Sequence, residues 1–332
     1  MTWFTTMGMF IIDEIHFEKH SVYDIVGGAG TYGVLGARFF AGKERAKEIG
    51  WIVDAGNDFP QSVEDQISSW NTGLVPRRDS GRKTTRGWNS YGDNDLRSFK
   101  YLTPKKRIEV ADLHECGLDS ARSIHVICSP DRCMKICSDL AGDGSDRPHE
   151  QVFLWEPVPD CCCPETFSTM LEALNSVQVL SPNCHEAALF VGLPEPTTVA
   201  DIESLVYTHW APHLDKLKTV FVLRCGKLGV LVYNNKQLKW YPAYHQSSEK
   251  VVDPTGGGNT FVGGFLYGYI ESGGDLDTAA SYGNVAAGLA VEQVGVPLLS
   301  YQGEQELWNG TVIKERLQEY AALLEGVRQR QE

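Results

Sequence analysis

Short apolar runs alternate with longer amphipathic stretches along this chain. The brief runs Met9–Ile12, Gly50–Asp54, Ile124–Ser129, Phe153–Glu156, Val177–Leu180, Val220–Leu223 and Val230–Tyr233 predict strands. Apolar positions at helical spacing predict helices over Ala29–Phe40, Gln61–Trp70, Pro164–Leu174, His185–Val191, Ile202–His209, Thr260–Glu271, Thr278–Val294 and Val312–Arg328. Such alternation predicts an α/β sheet with helices on both faces. There is no internal repeat and no low-complexity segment.

Two regions break the pattern. His16–Val26 reads as a short polar link, and Pro76–Arg107 is long and basic and carries Trp88, Tyr91 and Tyr101. A loop of that length inside a compact domain usually has a function. The two segments, about 14–26 and 75–107, predict a small lid on a single domain spanning 1–332. The C-terminal helix, about 312–328, runs into Arg-Gln-Arg-Gln-Glu, expected to fray.

Composition adds exclusions. A net charge of −13 disfavours nucleic acid and anionic membranes as partners. The basic cluster Arg77, Arg78, Arg82, Lys83, Arg86 and Lys105–Arg107 reads as solvated lid material. No secretion signal and no apolar run of ~20 residues is present, so a cytoplasmic chain is expected. Its nine cysteines are then expected to be reduced thiols. Cys161-Cys162-Cys163 cannot easily aim three sulfurs at one metal. Cys133 and Cys137, one helical turn apart, have no C-x-x-C pair or nearby histidine to complete a site.

Candidate chemistry begins at Asp253-Pro254-Thr255-Gly256-Gly257-Gly258-Asn259, which runs into a helical stretch. Unhidden backbone N–H groups over Gly256–Asn259, backed by the positive helix end, make a place for phosphate. Asp13 ends the first predicted strand, where open α/β sheets place ligands, although taken alone such a residue is more often a capping or turn carboxylate. Gly27-Gly28-Ala29-Gly30 opens the next helix without the spacing of a dinucleotide fingerprint. Asp58 reads as an N-cap for 61–70. Asn183-Cys184-His185-Glu186 is either an N-cap with a first-turn glutamate, or a place where Glu186 meets Mg²⁺ through water. The turn from Arg224 through Gly226 to Gly229 is a hairpin connection or a nucleotide wall. The small-residue run 283–290, with Asn284, is close helix packing or a surface for a flat base.

In this order the pieces resemble the PfkB, or ribokinase-like, family of carbohydrate and nucleoside kinases, from Gly8 to about Gly295. The 253–259 turn, followed by Gly263-Gly264-Phe265-Leu266, fits the family's C-terminal signature at every constrained place except Asn259. Thr85-Arg86-Gly87-Trp88-Asn89, Trp155-Glu156-Pro157 and Leu223-Arg224-Cys225-Gly226 look most like its fungal branch named for maintenance of killer. The resemblance implies a ribokinase-like three-layer α/β/α sandwich with a small lid. It also implies an ATP-dependent phosphotransferase acting on a small hydroxylated, sugar- or nucleoside-like metabolite. ATP and Mg²⁺ would be its cofactors, a monovalent cation is a further candidate, and a homodimer through the lid is plausible.

By the same resemblance, Asp13, Gly27 and Gly28 would bind substrate hydroxyls. Tyr32 stands where many sugar kinases have an asparagine contacting the sugar. Glu186 with Asn183 would organise magnesium and phosphate. Gly256, Gly257 and Gly258 would form the anion hole, with Asp253, Thr255, Arg224, Gly226, Gly229 and Asn284 on the nucleotide side. Arg224 replaces a small hydroxyl residue usual at that place, and Asn259 stands at the catalytic-base position, where an aspartate is usual.

An amide cannot take a proton at neutral pH. General base catalysis is worth about 10²–10⁴ in rate, whereas phosphoryl transfer is mostly positioning and electrostatics. Three readings follow. The chain is a kinase whose base is elsewhere, Asp13 being the obvious choice, or whose acceptor is already ionised. It is a pseudokinase that binds nucleotide or metabolite and acts through a partner, with Asn259 capping helix 260–270. Or it carries out non-phosphoryl chemistry in the same pocket. On sequence alone, Asn259→Asp is expected to raise turnover.

Overall fold

Successive strand residues point to opposite faces of a sheet, and here both faces are apolar. In the computed structural model, which describes residues 1–16, 20–91, 97–141 and 150–329, Phe153 and Trp155 pack into one core while Leu154 packs into another. Phe221 and Leu223 part from Val220 and Val222 in the same way. One core is closed by helices that include Pro130–Ala141 and Cys184–Phe190, the other by Ala29–Arg45, Gly257–Glu271 and Leu276–Ala290. The result is a sheet between two helical layers.

The strands are β1 (Phe4–Thr6), β2 (Ile11–His16), β3 (Ser21–Gly27), β4 (Gly50–Ala55), β5 (Gly73–Arg78), β6 (Arg86–Tyr91), β7 (Arg97–Tyr101), β8 (Ser123–Cys128), β9 (Val152–Pro157), β10 (Val179–Leu180), β11 (Val220–Arg224), β12 (Val230–Asn234), β13 (Gln237–Tyr241), β14 (Leu299–Gln302) and β15 (Gln305–Trp308). The main sheet has the order β1-β8-β9-β10-β11-β12-β13. It is parallel from β1 to β11, and its last two strands are antiparallel. A second sheet has the order β3-β2-β6-β7, while β4 pairs with β5 and β14 with β15.

Several expectations are corrected. The first strand of the main sheet is Phe4–Thr6, not Met9–Ile12; the polar look of Thr5 and Thr6 hid a segment that is fully buried. Ile11–His16 belongs to the second sheet, so Asp13 lies inside a strand of that sheet rather than at the end of a core strand. The supposed link His16–Val26 contains β3, antiparallel to β2. Within 75–107, the first part continues β5 along β4, and β6 and β7 complete the second sheet. Residues 17–19, 92–96 and the tail at 330–332 lie outside the described residues.

Asp58 is not a helix cap. Pro60 stands at the cap of Gln61–Ser69, and Asp58 instead accepts the Thr84 amide at 2.7 Å and Arg86 Nε at 2.9 Å. Arg86 also pairs with Asp24 at 2.8 Å. One arginine thus ties β6 to β3 and to the loop after β4.

Helices Ala29–Arg45 and Gly257–Glu271 meet backbone to backbone. A Cβ on Gly36 or Gly263 would strike the carbonyl oxygen of Thr260 or Gly33. This close approach fixes where the glycine turn before the second helix stands relative to the sheet.

Candidate active site

The parallel strands β8 to β11 point their C-terminal ends toward one edge, where open α/β sheets place ligands. Polar residues gather there: Glu156 near the end of β9, Ser181 and the Asn183–Glu186 cap after β10, Arg224 at the end of β11 and, two residues deeper in the sheet, His125 of β8. Helix Gly257–Glu271 brings Asn259 to meet them.

Glu156 is the hub. Its carboxylate accepts both contacts of Asn259 Nδ2, at 2.9 and 3.2 Å. It pairs with Arg224 Nη1 at 2.8 Å and accepts His125 Nε2 at 2.6 Å. Thr6 Oγ1 accepts the Gly8 amide at 2.9 Å and lies 3.1 Å from His125 Nδ1. An ionised carboxylate only accepts, so His125 donates its Nε2 proton to Glu156. Burial alone would push the Glu156 carboxyl upward, but the Arg224 charge, the His125 bond and the Asn259 amide outweigh it and hold the group down to about 2. A carboxylate so strongly stabilised is a poor proton acceptor.

Glu186 sits differently. It forms a reciprocal capping box, its Oε2 accepting the Asn183 amide and the Asn183 Oδ1 accepting the Glu186 amide, each at 2.8 Å. Arg224 Nη2 stands 3.6 Å from the same Oε2. Burial raises the Glu186 carboxyl above its ordinary value, with Arg224 pulling against that and Glu156 adding to it. A magnesium ion held by Glu186 does not fit this arrangement, because a guanidinium already supplies the positive charge there. Among the described residues, no group of three or more His, Cys, Asp or Glu side chains could hold a metal.

The glycine turn departs from expectation in two ways. Its helix begins at Gly257, with Gly256 at the cap in the left-handed region at φ 75°. Asn259 therefore lies inside the first turn and does not cap helix 260–270; its side chain is turned to Glu156. Nor are all the amides free. The Gly257 N–H donates to Pro254 O at 3.2 Å, while no intrachain acceptor of the Gly258 or Asn259 amide is found among the described residues. Arg224 Nη1 lies directly against Gly258, where any Cβ would collide with it.

A cavity of about 670 Å³ opens from this turn. Arg224, Gly226, Gly229, Gly257, Gly258 and Asn284 all line it, together with Tyr244 and His245. Asp253 and Thr255 are not on its wall. Asp253 Oδ1 accepts the Thr255 amide at 2.9 Å and also its hydroxyl, which shapes the turn from behind. Tyr32 is likewise a support: it is 3% exposed, its ring packs on Gly256 and its hydroxyl donates to Gly295 O at 3.4 Å. The carboxylate of Asp13 is wedged between Gly27 and Gly87. Gly28 caps helix Ala29–Arg45 at φ 93°.

Glu156 and His125 are the members that sequence reasoning missed. Glu156 had a visible signal, a lone charge at the end of the apolar run Phe-Leu-Trp-Glu-Pro. His125 had almost none.

The pattern of the pfkB family carbohydrate kinases matches residues 155–300. The chain is 38% identical to Protein MAK32 of Saccharomyces cerevisiae over 95% of its own length and 91% of that protein's. Among solved structures, ribokinase from Giardia lamblia superposes with a TM-score of 0.69 at 16% identity, covering 98% of this chain and 99% of that one. Ribokinase from Cryptococcus neoformans var. grubii serotype A, in complex with ADP, gives 0.66 at 17% identity, covering 89% and 95%.

Proposed function

Because the chain belongs to the pfkB family of carbohydrate kinases, we propose that it binds a nucleoside triphosphate such as ATP and transfers its terminal phosphoryl group slowly to a small hydroxylated metabolite. The observation that carries this is the cavity ending on Gly257, Gly258 and Arg224. Its wall includes backbone amides, a helix N-terminus and a guanidinium, three features that attract phosphate. The Gly226–Gly229 turn and the Asn284 helix form its walls, with space for a base and sugar.

Transfer to an alcohol then proceeds without help at position 259. The Asn259 amide has no basicity, and Glu156 behind it is held ionised by Arg224 and His125. Orientation and charge stabilisation carry the step, and rates below those of base-assisted transfer by about 10²–10⁴ are expected. An acceptor that is already ionised escapes this loss.

The bonding of Asn259 to Glu156 also favours a second reading, a nucleotide-binding protein that acts through a partner. Calorimetric titration of the purified chain with ATP, ADP and AMP-PNP tests the shared premise; absence of heat and of thermal shift with all three would sink both. Phosphoryl transfer from γ-labelled ATP to a panel of sugars and nucleosides separates the two, since the partner reading expects no label on any acceptor.

A further inference from the structure

We infer that Arg224 takes the place of a divalent cation in this site, so that a nucleoside di- or triphosphate binds without metal. The inference rests on the nucleotide reading of the cavity above.

Arg224 Nη2 donates to Ser181 O at 3.1 Å and faces Glu186 Oε2 at 3.6 Å. Nη1 pairs with Glu156 Oε2 at 2.8 Å. These contacts anchor the group from the side of strands β9 and β10. Nη1 carries a second N–H, and this same nitrogen lies against Gly258. Nε is buried with no hydrogen-bond partner, an unusual state for a charged donor. The side chain is only 13% exposed, and what it shows belongs to the cavity wall.

A phosphate held by the Gly258 and Asn259 amides therefore meets Nη1 at once. Arginine is suited to this, because its planar fork binds two phosphate oxygens while remaining charged at every working pH. A magnesium ion would have to share the carboxylate of Glu186 with a group of the same sign. Mg²⁺ holds its waters tightly and prefers one or two free carboxylates plus substrate oxygens. Arg224 already stands 3.6 Å from that carboxylate with its own positive charge. The arginine is fixed to the protein before the ligand arrives, so no separate ion has to be captured.

The experiment is a calorimetric titration of ATP and ADP into the full chain, in EDTA and again in MgCl₂. Wild type is expected to bind ATP in EDTA within about threefold of its affinity in magnesium, while Arg224→Gln weakens binding in EDTA by about tenfold or more. Binding by wild type that disappears in EDTA overturns the inference and leaves the nucleotide reading standing. Binding by Arg224→Gln equal to wild type in EDTA overturns it as well. No binding under either condition overturns the nucleotide reading and this inference with it. Should Arg224→Gln fail to fold, Glu186→Gln decides the matter. It frees the guanidinium from one competitor, so affinity in EDTA should rise about twofold or more, whereas a magnesium ligand at 186 predicts loss of binding in MgCl₂. An unchanged or weaker affinity in EDTA for that variant overturns the inference.

Discussion

Asn259→Asp places a carboxylate where an amide now donates to Glu156 at 2.9 and 3.2 Å. Two ionised carboxylates about 3 Å apart repel by about 5 kcal/mol at an effective dielectric near 20. The repulsion is capped, because the new group can take up a proton. Raising its pKa from ~3.9 to ~7 costs about 4 kcal/mol at neutral pH, at 1.36 kcal/mol per unit. Glu156 remains the ionised partner, since Arg224 and His125 hold it near 2 despite its burial. The new carboxyl is the one with a raised pKa in the folded state. In that case the folded protein binds more protons than the unfolded chain between the two values, and stability falls as pH rises through that window. The variant should thus lie ~3–4 kcal/mol below wild type at pH 7 and approach it near pH 4. With a pKa near 7 about half of the new carboxyl is ionised at neutral pH and able to accept a proton, so turnover should rise as pH climbs through that value, in line with the expectation from sequence and at the cost of stability. Adding Glu156→Gln exchanges amide and carboxylate and restores a charge beside Arg224. Chemical unfolding at pH 4.5 and 7.5, run as a double-mutant cycle, should show a favourable coupling of about 2 kcal/mol or more. Additive effects, or a single-variant deficit that does not shrink toward acid pH, would refute the reasoning.

Gly256→Ala adds a Cβ in the left-handed region and drives it into the Tyr32 ring; a loss of about 2–4 kcal/mol is expected in thermal or urea unfolding, together with weakened nucleotide binding. Asp58→Asn weakens the tie from the loop after β4 to β6, and about 1.5 kcal/mol should be lost at pH 7. Burial pushes the Asp58 carboxyl up, but the Thr84 amide and Arg86 outweigh it and set it below its ordinary value. Its stabilisation is therefore present above pH ~4 and fades as pH falls through the lower folded value, so wild type and variant should converge in acid; hydrogen exchange should show lost protection over Arg86–Tyr91.

Sheet and helices were legible because each rests on a local period. Phe153, Leu154 and Trp155 reveal a strand buried on both faces, and the Gly256–Gly258 turn announces itself by composition. What failed to show was pairing at a distance. Thr5 and Thr6 read as polar, yet β1 is a core strand because the Thr6 hydroxyl bonds His125 across more than a hundred residues. Ile11–His16 alternates like a core strand, and nothing local says that it pairs with β6 in another sheet. Asn259 looked like a cap because glycines are poor helix formers, so the helix seemed to start after them. In the folded chain Gly256 turns left-handed, the helix begins at Gly257, and the amide is turned inward to Glu156. The sequence presented Asn259 as a missing base, and the fold shows it as a donor to a carboxylate that no spacing rule connects with it.

The charges of the site then favour holding an anion over activating an alcohol. A site built as the family resemblance implies would carry a carboxylate at 259 and a neutral hydroxyl at 224. This chain carries a neutral amide and a guanidinium, two units more positive at the place where phosphate would lie. Glu156 returns one negative charge, but behind Asn259, where it holds Arg224 and the amide in position without facing the acceptor as a base. The replacements at 259 and 224 both strengthen ground-state attraction for phosphate, and neither strengthens proton removal. Interactions that bind ground state and transition state alike lower KM without raising kcat. Under the proposed function, tight nucleotide binding with slow transfer is what the Asn259–Glu156–Arg224 arrangement predicts, and the two properties should change together when the amide and the carboxylate are exchanged.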